Sequence, residues 1–128
     1  MKKIVLSIQN SLLAEMLTLT LLESGEFAPQ RCLFEKAGEV YDKCRLLSAD
    51  ILLMEVSYTP LASIESRMAD IKKVRKSVPE CKIVLLCDEN SAPDIAHKVM
   101  QAKMDGLIDN FFYSSVGAKY LMAALNAI

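Results

Sequence analysis

Three short runs in the sequence, Ile4-Val5-Leu6-Ser7-Ile8, Ile51-Leu52-Leu53-Met54 and Ile83-Val84-Leu85-Leu86-Cys87, are almost wholly apolar and rich in β-branched residues. A strand with one wet face alternates polar and apolar side chains, so a run that does not alternate is buried on both faces. Such strands belong in a parallel sheet covered by helices above and below. The intervening segments carry the helical period: Leu12, Leu13, Met16 and Leu17 read as a core-facing stripe in the first helix, and Ile64, Met68, Ile71 and Val74 in the third. Two less regular strands are placed at 31–34 and 106–109. A helix over 92–103 takes Ser91 as its N-cap, has Pro93 and Asp94 in its first turn, and buries Ile95, Val99 and Ala102. A last helix starts near Ser114-Ser115 and buries Leu121, Ala124, Leu125 and Ile128. Strand and helix alternate five times, and right-handed crossovers then give an α/β fold: a doubly wound, five-stranded parallel sheet with helices on both faces.

At 128 residues and 52% apolar composition, the chain can close one core and no more, so residues 1–128 read as a single domain. Fifteen basic residues against sixteen acidic ones produce no field that would draw in a phosphate backbone or anionic lipid, which argues against direct nucleic-acid binding. Cys32, Cys44, Cys81 and Cys87 are scattered without paired spacing, and His97 is the one histidine. Neither a zinc site nor a disulfide framework follows; reduced, buried thiols in a cytoplasmic protein are expected. Ile4 to Leu6 is too short for a signal sequence, and no stretch reaches the roughly 18 apolar residues that a membrane span needs.

In a doubly wound sheet, ligands gather at the carboxyl ends of the strands, where strand order reverses. The residues expected there are Ile8 and Gln9, Glu55, Cys87 and Asp88, and Asp109 and Asn110. The first turn, Gln9-Asn10-Ser11, has no glycine, so neither a P-loop nor a dinucleotide fingerprint is present. The order K-K-I-V-L-x-x-x-x-S-L-L-A-E-M-L, A-D-I-L-L-M-E-V, V-P-E-C-K-I-V-L-L and A-K-M-D-G-L-I resembles, over essentially the whole chain, the receiver domain of two-component response regulators. It is most like receivers that precede a LuxR-type DNA-binding domain. The resemblance implies a flavodoxin-like, receiver-like fold, a signalling role, and a DNA-binding domain that could follow in a longer gene product.

The resemblance also implies where an active site would stand. The two acidic residues that hold Mg²⁺ in the family correspond to Ile8 and Gln9, the phospho-acceptor aspartate to Glu55, the hydroxyl residue after the fourth strand to Cys87, the lysine after the fifth to Asn110, and the switch aromatic to Leu107. The span from Glu55 to Pro79 is a few residues longer than usual, which implies a remodelled loop or helix. Phosphoryl transfer to a carboxylate needs a cation against the developing charge and fixed donors for the oxygens, and Mg²⁺ needs hard oxygen ligands. Mg²⁺ binding and autophosphorylation are therefore expected to be lost, with no cofactor and no catalysis. As a permanent imitation of a phosphorylated aspartate, Glu55 would supply one negative charge where phosphate supplies roughly 1.5 to 2; the plainer expectation is a partly solvated strand-end residue.

Phe111, Phe112 and Tyr113, with Tyr120 and Met122, are expected to form an exposed patch suited to a protein partner or a homodimer. Lys72-Lys73-Val74-Arg75-Lys76 reads as a solvated helix face, His97 as solvent-facing, and Cys87 as packed but open to oxidation if partly exposed. The leading expectation is an atypical receiver-like module acting by phosphorylation-independent protein contact. Two rivals stay open. One is a small-ligand sensor or enzyme anchoring its ligand on Glu55, Asp88 and Asp109, which requires a strand-tip pocket; the other is a conventional phospho-acceptor.

Overall fold

The computed structural model describes residues 1–33, 38–87 and 93–128. Five parallel strands, β1 (Lys2–Ser7), β2 (Phe27–Arg31), β3 (Ile51–Val56), β4 (Lys82–Cys87) and β5 (Asn110–Tyr113), lie in the order β2-β1-β3-β4-β5. Five helices connect and follow them: α1 (Ser11–Ser24), α2 (Glu39–Leu47), α3 (Ile64–Ser77), α4 (Pro93–Met104) and α5 (Ala118–Ala127). The α/β, doubly wound, five-stranded parallel architecture is the one expected from the three apolar runs, all of which are strands.

Alternate residues of each strand feed two cores. Ile4, Leu6, Leu53 and Leu86 pack beneath α1 and α5, whereas Val5, Leu52, Met54 and Leu85 pack beneath α2, α3 and α4. Each central strand is thus covered on both sides. Val99 and Ala102 of α4, and Leu121 and Leu125 of α5, are buried as their spacing predicts. His97 is exposed, and all four cysteines are buried. Burial pushes the Cys32 thiol up to about 12, which makes it a poor nucleophile. Cys87 has no accessible surface, so partial exposure of its thiol is corrected.

Other expectations also change. The second strand is Phe27–Arg31, earlier than 31–34; Pro29 breaks the apolar pattern yet is tolerated because β2 is an edge strand. The fifth strand begins at Asn110, not at 106, because the residues before it cap α4. Gly106, at φ +75°, donates its N–H to the Lys103 carbonyl, and the Leu107 N–H reaches the Ala102 carbonyl, the paired bonds of a Schellman cap. The ladder then starts with Asn110 opposite Val84 and ends with Tyr113 opposite Cys87.

In α1 the buried stripe is Ala14, Leu17 and Leu21, while Leu12, Met16, Leu19 and Leu22 stand exposed. The helix is apolar nearly all round, so a three-to-four spacing fits more than one face and does not select the inner one. The candidate interface is corrected as well. Phe111 and Phe112, on opposite faces of β5, pack against the two cores, and Met122 is half-buried against one of them. Tyr113 and Tyr120 remain exposed, each in an edge-to-face contact with its phenylalanine neighbour.

Because Leu53 is fully buried in the central strand, Leu53→Ala is expected to lower the unfolding free energy by about 2–5 kcal/mol in urea titration, with an unchanged m-value.

Candidate functional site

The carboxyl ends of β1 and β3 lie side by side, with Ser7 opposite Met54. Beyond Ser7 the chain turns through Ile8, Gln9 and Asn10 into α1. Asn10 caps that helix, its side-chain oxygen accepting the Leu13 N–H at 3.0 Å. Residue parity along β3 sends the Glu55 side chain to the α1 face, where its Oε1 accepts the Gln9 N–H at 2.9 Å and the Asn10 N–H at 3.2 Å. These amides point out of the N-terminal end of α1, where the helix dipole also favours an anion. Glu55 is a half-buried cross-link between β3 and the β1–α1 turn.

A second set of bonds ties the same turn to the loop after β3. The Thr59 hydroxyl donates to Gln9 Oε1 at 2.7 Å. Its single proton being used there, the 2.9 Å bond between Ser57 and Thr59 is donated by Ser57, whose oxygen in turn accepts the Thr59 N–H at 3.3 Å. A short 3-10 turn, Pro60–Ala62, then leads into α3, which is capped by Ser63. The stretch after Glu55 is thus a strap across the strand ends.

Sequence reasoning missed Arg67. It sits on the inner stripe of α3 with 1% of its surface exposed. Its Nε donates to the Glu55 carbonyl at 2.8 Å, Nη1 to the Ser7 hydroxyl at 2.8 Å, and Nη2 to the Ser7 carbonyl at 2.8 Å. The fork of the guanidinium matches these three acceptors in a way a lysine ammonium would not. Burial pulls its pKa down to about 10, against the opposing pull of the Asp70 and Glu55 carboxylates, so it is still a cation at neutral pH. The spacing Ile64, Arg67, Ile71, Val74 is itself a helical stripe, and an arginine on it was the available clue.

The other expected site residues are not all brought together. Ile8 is fully buried among Leu6, Ala14 and Leu53 and fills the space under the turn. Cys87 ends β4 inside the core beneath α4. Asp88 lies outside the described residues, as does the proposed cap Ser91. Leu107 and Asn110 precede or open β5 and so stand at its amino end, while Tyr113 holds the position beside Cys87. Asp109 is likewise at the amino end, accepting the Ile83 N–H at 2.7 Å and pairing with Arg75 at 2.9 Å. Among the described residues, no group of three or more His, Cys, Asp or Glu side chains is placed to share a metal ion. Clefts of about 630, 450 and 380 Å³ lie at the amino end of the sheet and beside α3, away from Glu55. No described helix is long and apolar enough to cross a membrane.

Replacing Arg67 by leucine strands three buried acceptors and is expected to cost on the order of 3 kcal/mol in chemical denaturation, with Arg67→Lys recovering less than half of the loss. Glu55→Gln keeps an acceptor oxygen and is expected to stay within about 1 kcal/mol of the native chain, whereas Glu55→Ala loses the α1 anchor and about 1–2 kcal/mol.

No family model and no curated protein sequence matches the chain. Solved structures do resemble it in shape. The chemotaxis protein CheY4 of Vibrio cholerae superposes with a TM-score of 0.74 at 15% identity, covering 100% of this chain and 98% of that one. A CheY-like protein, TadZ, from Pseudomonas aeruginosa gives 0.72 at 16% identity over 99% and 98% of the two chains. A response regulator from Desulfuromonas acetoxidans gives 0.71 at 16% over 99% and 95%. The chain therefore has the fold of CheY-like response-regulator receiver domains.

Proposed function

We propose that this chain is an atypical receiver-like module of two-component-type signalling that acts by protein–protein contact and takes up no phosphoryl group. The observation that carries the reading is the commitment of the strand ends to internal bonds. Glu55 Oε1 holds two backbone N–H groups, the Gln9 amide oxygen is taken by Thr59, and Ile8 is packed into the core. Among the described residues, Glu55 Oε1 and Gln9 Oε1 are already bonded and Ile8 offers no oxygen, so these strand ends are a poor match to the several hard oxygens that Mg²⁺ needs. The cation beneath this end of the sheet is the guanidinium of Arg67, held to backbone and hydroxyl acceptors on the α3 face.

Support for protein contact comes from the surface of α1. Leu12, Met16, Leu19 and Leu22 are each more than half exposed, a stripe that a freely solvated helix has no reason to keep. A domain that binds DNA, if attached in a longer gene product, would make the module a regulator of transcription through its contacts. A small-ligand or enzymatic role would need an open strand-tip pocket; among the described residues there, Ile8 is buried and the Gln9 amide is tied to Thr59.

Addition of Mg²⁺ with beryllofluoride is expected to leave the amide resonances of residues 7–11 and 54–59 in place, and acetyl phosphate to add no mass. Saturable shifts centred on Gln9 and Glu55 would overturn the reading and leave the fold untouched.

A further inference from the structure

Two apolar surfaces among the described residues are opposite in charge and lie on opposite faces of the sheet. On one side is the outer face of α1. Between Ile4 and Gln30 the sequence contains Glu15, Glu23 and Glu26 and no lysine or arginine, so the exposed Leu12, Met16, Leu19 and Leu22 are accompanied by acid alone. On the other side a groove runs along α3 against α4 and the turn that follows it. Ile64, Met68, Ala102 and Leu107 line its first part, a cavity of about 450 Å³. Ile71, Lys72, Lys76 and Leu107 line the adjoining part, about 380 Å³.

Outside its ion pairs, the groove lining is positive by one charge, Lys72 and Lys76 standing against Asp105, which accepts the Gln101 side-chain amide at 2.9 Å. At the start of α3, Glu65 and Lys98 neutralise each other at 3.1 Å, and Arg75 is tied to Asp109 at 2.9 Å. Lys72 and Lys76, one turn apart on the groove wall, make no ion pair among the described residues. The run of basic residues that reads as a solvated face in the sequence therefore places two ammonium groups beside an apolar channel. From Ile64 to Lys76 the groove follows thirteen residues of helix, a rise of about 18 Å, close to the length of the fourteen-residue α1.

We infer that α1 of one molecule docks in the α3–α4 groove of a second copy of this chain, Leu12, Met16 and Leu19 covering the apolar floor while Glu15 and Glu23 face Lys72 and Lys76. A symmetric pairing of α1 with α1 would set Glu15 and Glu23 against their own copies with no cation on either helix, which disfavours it. Nucleic acid is a poor occupant, since an apolar floor offers phosphates nothing. A molecule cannot fill its own groove, because α1 covers one face of the sheet and α3 and α4 cover the other. The contact is consequently head-to-tail: each docked pair leaves one α1 and one groove open. A single helix in a shallow groove is a small interface, so association is weak and concentration-dependent. The inference rests on the protein-contact half of the proposed function and is independent of the phosphoryl half.

The test is sedimentation velocity on the native chain, on Glu15→Lys/Glu23→Lys and on Lys72→Glu/Lys76→Glu, each checked for folding by amide dispersion. The native chain is expected to shift to larger species as concentration rises and to dissociate in high salt. Each charge-reversed variant alone is expected to associate at least about ten-fold more weakly. Their equimolar mixture is expected to recover association, because each then offers the other a complementary helix and groove. Leu107→Asp, which places a carboxylate on the groove floor without touching either charge set, is expected to weaken association comparably. A native chain that stays monomeric up to millimolar concentration, variants that associate as well as the native chain, a mixture that does not recover, or cross-links joining α1 to α1 would each overturn the inference. Loss of it would leave the beryllofluoride result on Glu55 unaffected.

Discussion

A parallel sheet ends each strand with backbone groups that have no partner in the ladder, and the structure here depends on how those of β1 and β3 are satisfied. Arg67 comes from α3 on one side and takes the carbonyls of Ser7 and Glu55 together with the Ser7 hydroxyl. Glu55 extends to the other side and takes the first free amides before α1. One residue of β3 thus meets a cation through its carbonyl on one face and a helix N-terminus through its carboxylate on the other. Buried polar groups are tolerated only when fully bonded, and a guanidinium is costly to bury unless its fork is met. The α1 and α3 layers are in this way fastened to the sheet at the same level.

That fastening holds the strand ends together through the chain's own groups. In a site built from several carboxylates, a bound cation offsets their mutual repulsion; here isoleucine and glutamine stand in the β1 turn and add no negative charge. The Gln9–Thr59–Ser57 chain then uses amide and hydroxyl groups, which carry no net charge and need no counter-ion. Under the proposed function, the surface that would face partners lies on the helices. α1 is apolar toward the sheet and apolar toward solvent, and its two stripes have different work: Ala14, Leu17 and Leu21 close the core, and Leu12, Met16 and Leu19 do not.

Much of the architecture is legible in the residues because unbroken apolar runs have few alternatives: β1, β3 and β4 fall where Ile4–Ile8, Ile51–Met54 and Ile83–Cys87 place them. The edge strands are harder. β2 contains a proline, and β5 is preceded by Leu107 and Ile108, which look like strand, but Leu107 closes the α4 cap and stays exposed while Ile108 enters the core. Reading the strand four residues early carried Asp109 and Asn110 to the wrong end of the sheet and turned Phe111 and Phe112, which pack on opposite cores, into a surface patch. Glu55 and Gln9 were found because family spacing points at them. Arg67 was not, since a charged residue on an inner helical stripe declares its role only once the acceptors it reaches, sixty residues away at Ser7, are known. The apolar period of α1 was likewise real but two-sided, and only packing decides which side is inner.

The dual use of residue 55 constrains how such a chain can change over generations. Shortening the side chain to aspartate withdraws the carboxylate by about 1.5 Å from the amides of Gln9 and Asn10. The bonds that start α1 would then weaken before any new chemistry was gained, since Ile8 and Gln9 would still supply no metal ligands. Residue 55 is thus matched in length to the turn it holds, and the shorter acid would loosen that turn.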